Sequence, residues 1–141
     1  MSHPIRETLA ALNEAGVRYV VVGGVAVVLR GHPRMTVDLD LVLDLAGYNA
    51  RLAVDTLLAI GLQARLPVDP ADFANPTVRQ GWVEGRHLVA FTMVDPADST
   101  REVDLFADPP IPFADLDARA DWLNLGDVAV RVASIEDLVT M

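Results

Sequence analysis

Two aspartates alternate with apolar residues in the segment 36–43, which reads Thr-Val-Asp-Leu-Asp-Leu-Val-Leu. Alternate residues of a β-strand share a face, so Asp38 and Asp40 stand on one face and Leu39 and Leu41 on the other. Aspartate is depleted in strands, and like charges at neighbouring positions repel each other. The segment therefore predicts a strand with one buried face and one acidic face.

The acidic face has two explanations. Mg²⁺ would stabilise it, because this ion takes oxygen ligands and is commonly held by one or two carboxylates together with substrate phosphates. Mn²⁺ is the alternative ion, since carboxylates suit both. The competing interpretation is an ordinary strand whose acidic side is solvated, which is the commoner meaning of a lone Asp-x-Asp.

A second acidic strand is predicted near residues 101–106, Arg-Glu-Val-Asp-Leu-Phe. Asp104 interrupts its apolar pattern at mid-strand, and Glu102 shares the face of Asp104. The sequence does not choose between the two acids, and we favour Asp104 for its central position. The alternative role of Asp104 is to pair with an arginine on a neighbouring strand.

Gly23 and Gly24 lie between a β-branched strand and a short apolar helix. Glycine lets the backbone approach a phosphate, and the start of a helix favours an anion. Gly-Gly is also an ordinary turn, and a dinucleotide-binding fingerprint would need a third glycine at the right spacing. The pair therefore indicates a phosphate site only in combination with the acids later in the chain.

In order, these elements resemble the signature of the nucleotidyltransferase superfamily. The matching features are Val22-Gly23-Gly24, a gap of thirteen residues, the pair in Asp38-Leu39-Asp40-Leu41, and Asp104 as a later third acid. Within the superfamily the chain resembles small bacterial nucleotidyltransferase-like proteins related to abortive-infection (Abi-type) toxins. That similarity lies in the segments 34–40, 101–105 and 132–138.

The resemblance implies an α/β (α+β) fold, a mixed β-sheet with helices packed on it. It also implies transfer of a nucleoside monophosphate from a nucleoside triphosphate, with release of pyrophosphate. The acceptor would be a protein, the end of a tRNA or a small molecule. An antitoxin would be a further partner if the chain is a toxin.

The resemblance also implies roles for individual residues. Asp38, Asp40 and Asp104 would be the catalytic acids and would hold Mg²⁺ or Mn²⁺. The Gly23–Gly24 pair and Arg34 would bind the nucleotide through its phosphates. Two rival functions remain: a catalytically inactive module of the same fold that binds a nucleotide or a partner, and a metal-dependent phosphohydrolase.

Composition limits the partners and the location. The chain has 11 Lys+Arg against 20 Asp+Glu, a net charge of −9, so broad DNA binding is not expected. Its apolar runs are too short and too interrupted by glycine to span a bilayer. The first residues lack the basic and apolar regions of a signal peptide, and we expect a cytoplasmic protein.

We expect one domain over residues 1–141. Periodicity and turn residues predict helices at 4–15, 25–30, 48–60, 113–119 and from 135, and strands at 17–22, 36–43, 87–94, 102–106, 122–125 and 128–132. The segment 67–76 is expected to be a loop with at most a short helix after Asp69. Ser134 and Asp137 resemble a capping box, and the helix that they open is expected to be truncated at Met141.

Overall fold

The computed structural model describes residues 3–34, residue 36 and residues 38–141. Within that part of the chain, helices pack on a sheet of seven strands. In chain order the elements are α1 (His3–Ala15), β1 (Tyr19–Val22), α2 (Gly23–Leu29), β2 (Asp38–Leu43), α3 (Asn49–Ala59), β3 (Gln63–Ala64), the 3₁₀ helix η1 (Pro70–Ala74), α4 (Pro76–Arg86), β4 (Ala90–Asp95), β5 (Asp98–Phe106), α5 (Phe113–Arg119), β6 (Asp121–Leu125), β7 (Val128–Val132) and α6 (Ile135–Thr140).

The strand order across the sheet is β3-β4-β5-β2-β1-β7-β6. Strand β2 runs parallel to β5, and β1 runs parallel to β7, whereas the remaining neighbours are antiparallel. The long connection between β2 and β5 carries α3 and α4, as a parallel pair requires. The predicted mixed sheet is confirmed.

The two faces of the sheet are covered unequally. One face carries the larger core, in which Leu9 of α1, Leu57 of α3 and Leu41 of β2 are fully buried. Replacing such a leucine with alanine costs about 2–5 kcal/mol of stability. The other face carries a smaller cluster, in which Val42 packs with Leu116 of α5. This thinner cover leaves part of the second face accessible.

Helix α4 was not predicted from the sequence, because Pro76 at its start was assigned to the loop 67–76. Asn75 caps the helix by accepting hydrogen bonds from the backbone N–H groups of Thr77 and Val78, and Pro76 occupies the first turn. Proline is tolerated there because that N–H has no helical partner. Trp82 then stacks on Phe91 of the core, with ring centroids 5.5 Å apart. The helix is further held by Arg79, which donates a hydrogen bond to the carbonyl oxygen of Phe73 at 2.8 Å.

Several predicted boundaries shift. Helix α2 begins at Gly23, two residues earlier than predicted, and β5 begins at Asp98, four residues earlier. Strand β4 begins at Ala90, since His87 ends α4 in a left-handed conformation. Strand β2 begins at Asp38, whereas the predicted strand began at Thr36. Thr36 is not part of the strand, and Val37 lies outside the described residues.

The last helix, α6, forms as expected, with the Ser134 hydroxyl accepting a hydrogen bond from the backbone N–H of Asp137 at 3.1 Å. Asp137 also forms an ion pair with Arg119 of α5. Among the described residues, no helix combines the length and the apolar character needed to cross a bilayer.

Candidate active site

The register of β2 and β5 sets two pairs of acids opposite each other. Asp38 pairs with Glu102, and Asp40 pairs with Asp104. Register partners and alternate residues share a face, so all four carboxyl groups stand on one side of the sheet. We call this side the acid face; it is the thinly covered side that also carries Val42. All four acids are half-buried.

Asp40 lies against Gly23 at the end of β1. A Cβ atom at Gly23 would overlap Oδ2 of Asp40 and lie 3.0 Å from its Cγ. Gly23 also has a φ of +69°, a left-handed conformation that favours glycine. Two independent constraints thus require glycine here, and the first places the Asp40 carboxyl group beside the Gly23–Gly24 pair.

The environment of Asp40 disfavours its negative charge. Burial raises its pKa first, and the charge of Asp104, a hydrogen bond with Asp104 and the charges of Asp38 and Glu102 raise it further, to about 7. Without a cation, this carboxyl group is therefore partly protonated at neutral pH. A bound cation would reverse that balance, because it favours the charged form.

Asp104 is held by a threonine that the sequence analysis did not single out. The Thr92 hydroxyl donates a hydrogen bond to Oδ1 of Asp104 at 2.6 Å, from the register position directly opposite in β4. The sequence feature that could have pointed to Thr92 is a polar residue between two large apolar ones, Phe91 and Met93, which are fully buried in the structure. A hydroxyl at that position fixes the orientation of the Asp104 carboxyl group.

Glu102 has a cationic partner of its own. The Arg65 side chain forms an ion pair with Glu102 through its Nη2 atom. Even so, one oxygen each of Asp38, Glu102 and Asp104 lie within 4.8 Å of one another. Both acids that the sequence left open are thus near Asp38, and proximity alone does not choose between them.

Arg34 lies next to Gly24. A Cβ atom at Gly24 would lie 3.7 Å from the guanidinium carbon of Arg34 and 2.8 Å from the hydroxyl oxygen of Thr36. The structure therefore brings Arg34 and the glycine pair together at one end of the acid face. Their predicted contact with phosphate stays a prediction.

The donor set fits a hard divalent cation. Asp38, Asp40 and Asp104 offer only carboxylate oxygens, the ligands that Mg²⁺ and Mn²⁺ prefer. No arginine, lysine or histidine among the described residues forms an ion pair with any of these three acids. A metal ion would offset the repulsion between facing carboxylates that have no cationic side chain as a partner. The assigned roles of these residues remain predictions.

Comparison with known proteins gives a family and a fold. Residues 7–141 match the family described as nucleotidyl transferase AbiEii toxin, type IV TA system. The structure is similar to that of TM1012 from Thermotoga maritima, a proposed nucleotidyltransferase, with a TM-score of 0.63 and 14% identity over 99% of this chain and 84% of that one. No curated protein matches the sequence significantly.

A second solved structure shares the fold. It is ANT(2″)-Ia in complex with adenylyl-2″-tobramycin, with a TM-score of 0.59 and 17% identity over 96% of this chain and 70% of that one. At these identities the two structures establish the fold alone. The family rests on the sequence match, which covers nearly the whole chain.

Proposed function

The chain belongs to the AbiEii family of nucleotidyl transferases, and from this premise we propose that it transfers a nucleoside monophosphate from a nucleoside triphosphate to an acceptor hydroxyl group. The observation that carries the proposal is the facing pair Asp40 and Asp104, with an oxygen of Asp38 within 4.8 Å of one of Asp104, and with no cationic side chain paired with any of the three among the described residues. These three acids would hold Mg²⁺ or Mn²⁺. Bound divalent ions would supply positive charge beside the transferring phosphate.

The acids and their neighbours would then have separate tasks. The acceptor oxygen bonds to the α-phosphorus while the bond from that phosphorus to the β-phosphate oxygen breaks, and pyrophosphate leaves. Asp104 receives the acceptor's proton, and the Thr92 hydroxyl keeps the Asp104 carboxyl group oriented. Asp38 and Asp40 would hold the metal ion at the triphosphate end of the site.

The triphosphate would lie towards the Gly23–Gly24 pair. Helix α2 begins at Gly23, so the first backbone N–H groups of that helix lack helical partners and are available to phosphate oxygens. The guanidinium group of Arg34, next to Gly24, would add a planar set of donors that suits phosphate. Both contacts would place the negatively charged triphosphate at one end of the acid face.

The acceptor and the biological role are parts of the same proposal. The family description supports a toxin of a toxin–antitoxin system. We propose that it acts in the cytoplasm. A protein side chain is favoured over the end of a tRNA, since the net charge of −9 opposes binding to a polyanion. A small molecule is the third possibility, since ANT(2″)-Ia holds an adenylylated tobramycin on the same fold.

The test is incubation of the protein with α-³²P-labelled triphosphates, Mg²⁺ and cell extract. Transfer of label to an acceptor supports the proposal, and Asp40→Ala should abolish it while the circular dichroism spectrum stays native. The matched control is Asp127→Ala, which removes an exposed acid that pairs with Arg6 away from the site. Binding without transfer would indicate an inactive binding module, and release of a nucleoside diphosphate with phosphate would indicate a phosphohydrolase.

A further inference from the structure

Arg65 lies in line with the acids across the sheet. Its backbone N–H donates to the carbonyl oxygen of Thr92 at 3.0 Å, which extends the pairing of β3 with β4 by one residue. Thr92 is the register partner of Asp104, and Asp104 is that of Asp40. Register partners share a face, so the Arg65 side chain starts on the acid face, two strands from Asp104.

The Arg65 guanidinium group is paired with one of the four acids, Glu102. It forms an ion pair with Glu102, whose side chain is 16% exposed, whereas the Arg65 side chain is 54% exposed. Glu102 is the register partner of Asp38, so this pair of facing acids has a fixed cation on one member. Among the described residues, Asp38, Asp40 and Asp104 have no such partner. The four acids therefore divide into one that is paired with a guanidinium group and three that have no cationic partner.

We propose that Arg65 is a positioning residue that holds Glu102 out of the metal-binding set, so that Asp38, Asp40 and Asp104 are the ligands. The inference rests on the metal-dependent function proposed above. A carboxylate bound by a guanidinium group has its charge offset and one oxygen occupied. One oxygen of Glu102 already lies within 4.8 Å of one oxygen each of Asp38 and Asp104, so its bond to Arg65, and not distance, is what would keep Glu102 from joining them as a ligand. Arg65 thus sets how many carboxylates face the metal.

The number of carboxylates affects which ion binds and how tightly. Mg²⁺ keeps several waters and uses one or two carboxylates, whereas Ca²⁺ takes six to eight oxygen ligands. A fourth free carboxylate would strengthen binding of any divalent ion and would favour Ca²⁺ most. Neutralisation of Glu102 by Arg65 therefore favours an ion that stays hydrated and can also contact phosphates.

The experiment measures Mn²⁺ binding to the full chain by the loss of the free-ion electron paramagnetic resonance signal. The variants are Arg65→Met, Asp104→Asn and the double variant Arg65→Met/Glu102→Gln, which preserves net charge. Arg51→Met is the matched control, because Arg51 is a half-exposed arginine paired with Asp55 on α3. Arg65→Gln repeats the single substitution with a polar side chain, in case methionine lowers the folded fraction seen by circular dichroism.

We expect Arg65→Met to tighten Mn²⁺ binding about tenfold, since changes of groups around metal ligands alter affinity on that scale. The same variant should also let Ca²⁺ compete better with Mn²⁺. The double variant should bind Mn²⁺ as the parent does, whereas Asp104→Asn should bind it far more weakly. Arg51→Met should match the parent.

Two results would overturn the inference alone. One is a double variant that loses as much affinity as Asp104→Asn, which would make Glu102 a ligand. The other is an Arg65→Met variant that melts at a lower temperature with unchanged Mn²⁺ affinity, which would make the ion pair merely structural. A parent that binds no Mn²⁺ would instead overturn the metal-dependent function and this inference together.

Discussion

Asp40 lies directly opposite Asp104 in the parallel register of β2 and β5, and the two carboxyl groups share a hydrogen bond. Two carboxylates in this position repel each other, and like charges directly opposite in a sheet are destabilising. The same pair is also well placed to hold a divalent ion. The cost of the pair without metal and its value with metal can be measured separately.

The pH dependence of stability in chelator should show that cost. The pKa of Asp40 is raised from 3.8 to about 7 in the folded protein, so the folded state binds more protons between these values. The free energy of unfolding should therefore fall as the pH rises from about 4 to about 7. Asp40→Asn should remove this part of the slope, and it should be at least as stable as the parent at pH 8.

Urea denaturation in chelator at pH 5 and pH 8 provides the measurement. Asp127→Asn is the control, since that acid is exposed and lies outside the site. An Asp40→Asn variant with the same pH dependence as the parent would show that Asp40 ionises as it does in the unfolded chain.

Thermal melts should separate a metal site from an acidic strand. Asp38→Asn should be as stable as the parent in chelator, because it removes one of several crowded charges at nearly constant shape. Mg²⁺ with a triphosphate should raise the melting temperature of the parent, since a ligand of the folded state stabilises it by mass action. The variant should show little of that rise. Identical responses in chelator, NaCl, Mg²⁺ and Mg²⁺ with ATP would refute the metal site.

Gly23→Ala should damage the site beyond its effect on the backbone. The new Cβ atom would displace the Asp40 carboxyl group, and a misplacement of about 1 Å can lower a rate about 100-fold. Gly126→Ala is the matched control. The φ of Gly126 is +62° against +69° for Gly23, but among the described residues the new Cβ atom would meet the flexible Arg6 side chain alone, at 3.5 Å. Both variants should lose about 1–2 kcal/mol of stability from the left-handed conformation. Equal rates of transfer in the two variants would contradict the prediction.

Thr92→Val should lower the rate of nucleotidyl transfer by about 10-fold or more, the scale on which groups around metal ligands act. Valine keeps the shape of threonine but removes the hydroxyl group that orients Asp104. Thr56→Val is the control, since the Thr56 hydroxyl donates to the Leu52 carbonyl group within α3, outside the site. The initial rate at saturating triphosphate is the measurement, and an unchanged rate would remove Thr92 from the site.

Local sequence carries the parts of the site that lie within one strand or turn. The alternation of Asp38 and Asp40 with leucines predicts their shared face. The position of Gly23 between a strand and a helix predicts a backbone turn that a phosphate group could approach closely. Thr92 and Arg65 were missed because their roles arise from pairing between strands that are distant in sequence. Register across a sheet is not visible in any single segment.

The fold shows the same division. Helix α5 is predicted with its observed bounds because its pattern and its flanking residues agree. Helix α4 was missed because Pro76 was interpreted as part of a loop, although Asn75 before a proline is also a helix start. The aromatic contact that helps to hold α4 comes from Phe91, on a later strand.

The parallel pairing of β2 with β5 also has a consequence for folding. These neighbours are joined through α3, β3, η1, α4 and β4, so their contacts join distant parts of the chain, although the pairing of β1 with β7 spans more residues. Such contacts form slowly, because the chain must lose the entropy of closing a long loop before the contacts contribute favourable energy. Here the closure also brings acids of like charge together. A chain in which β5 is not yet paired with β2 has no site for a divalent ion. The ion should therefore bind late in refolding and stabilise the paired strands.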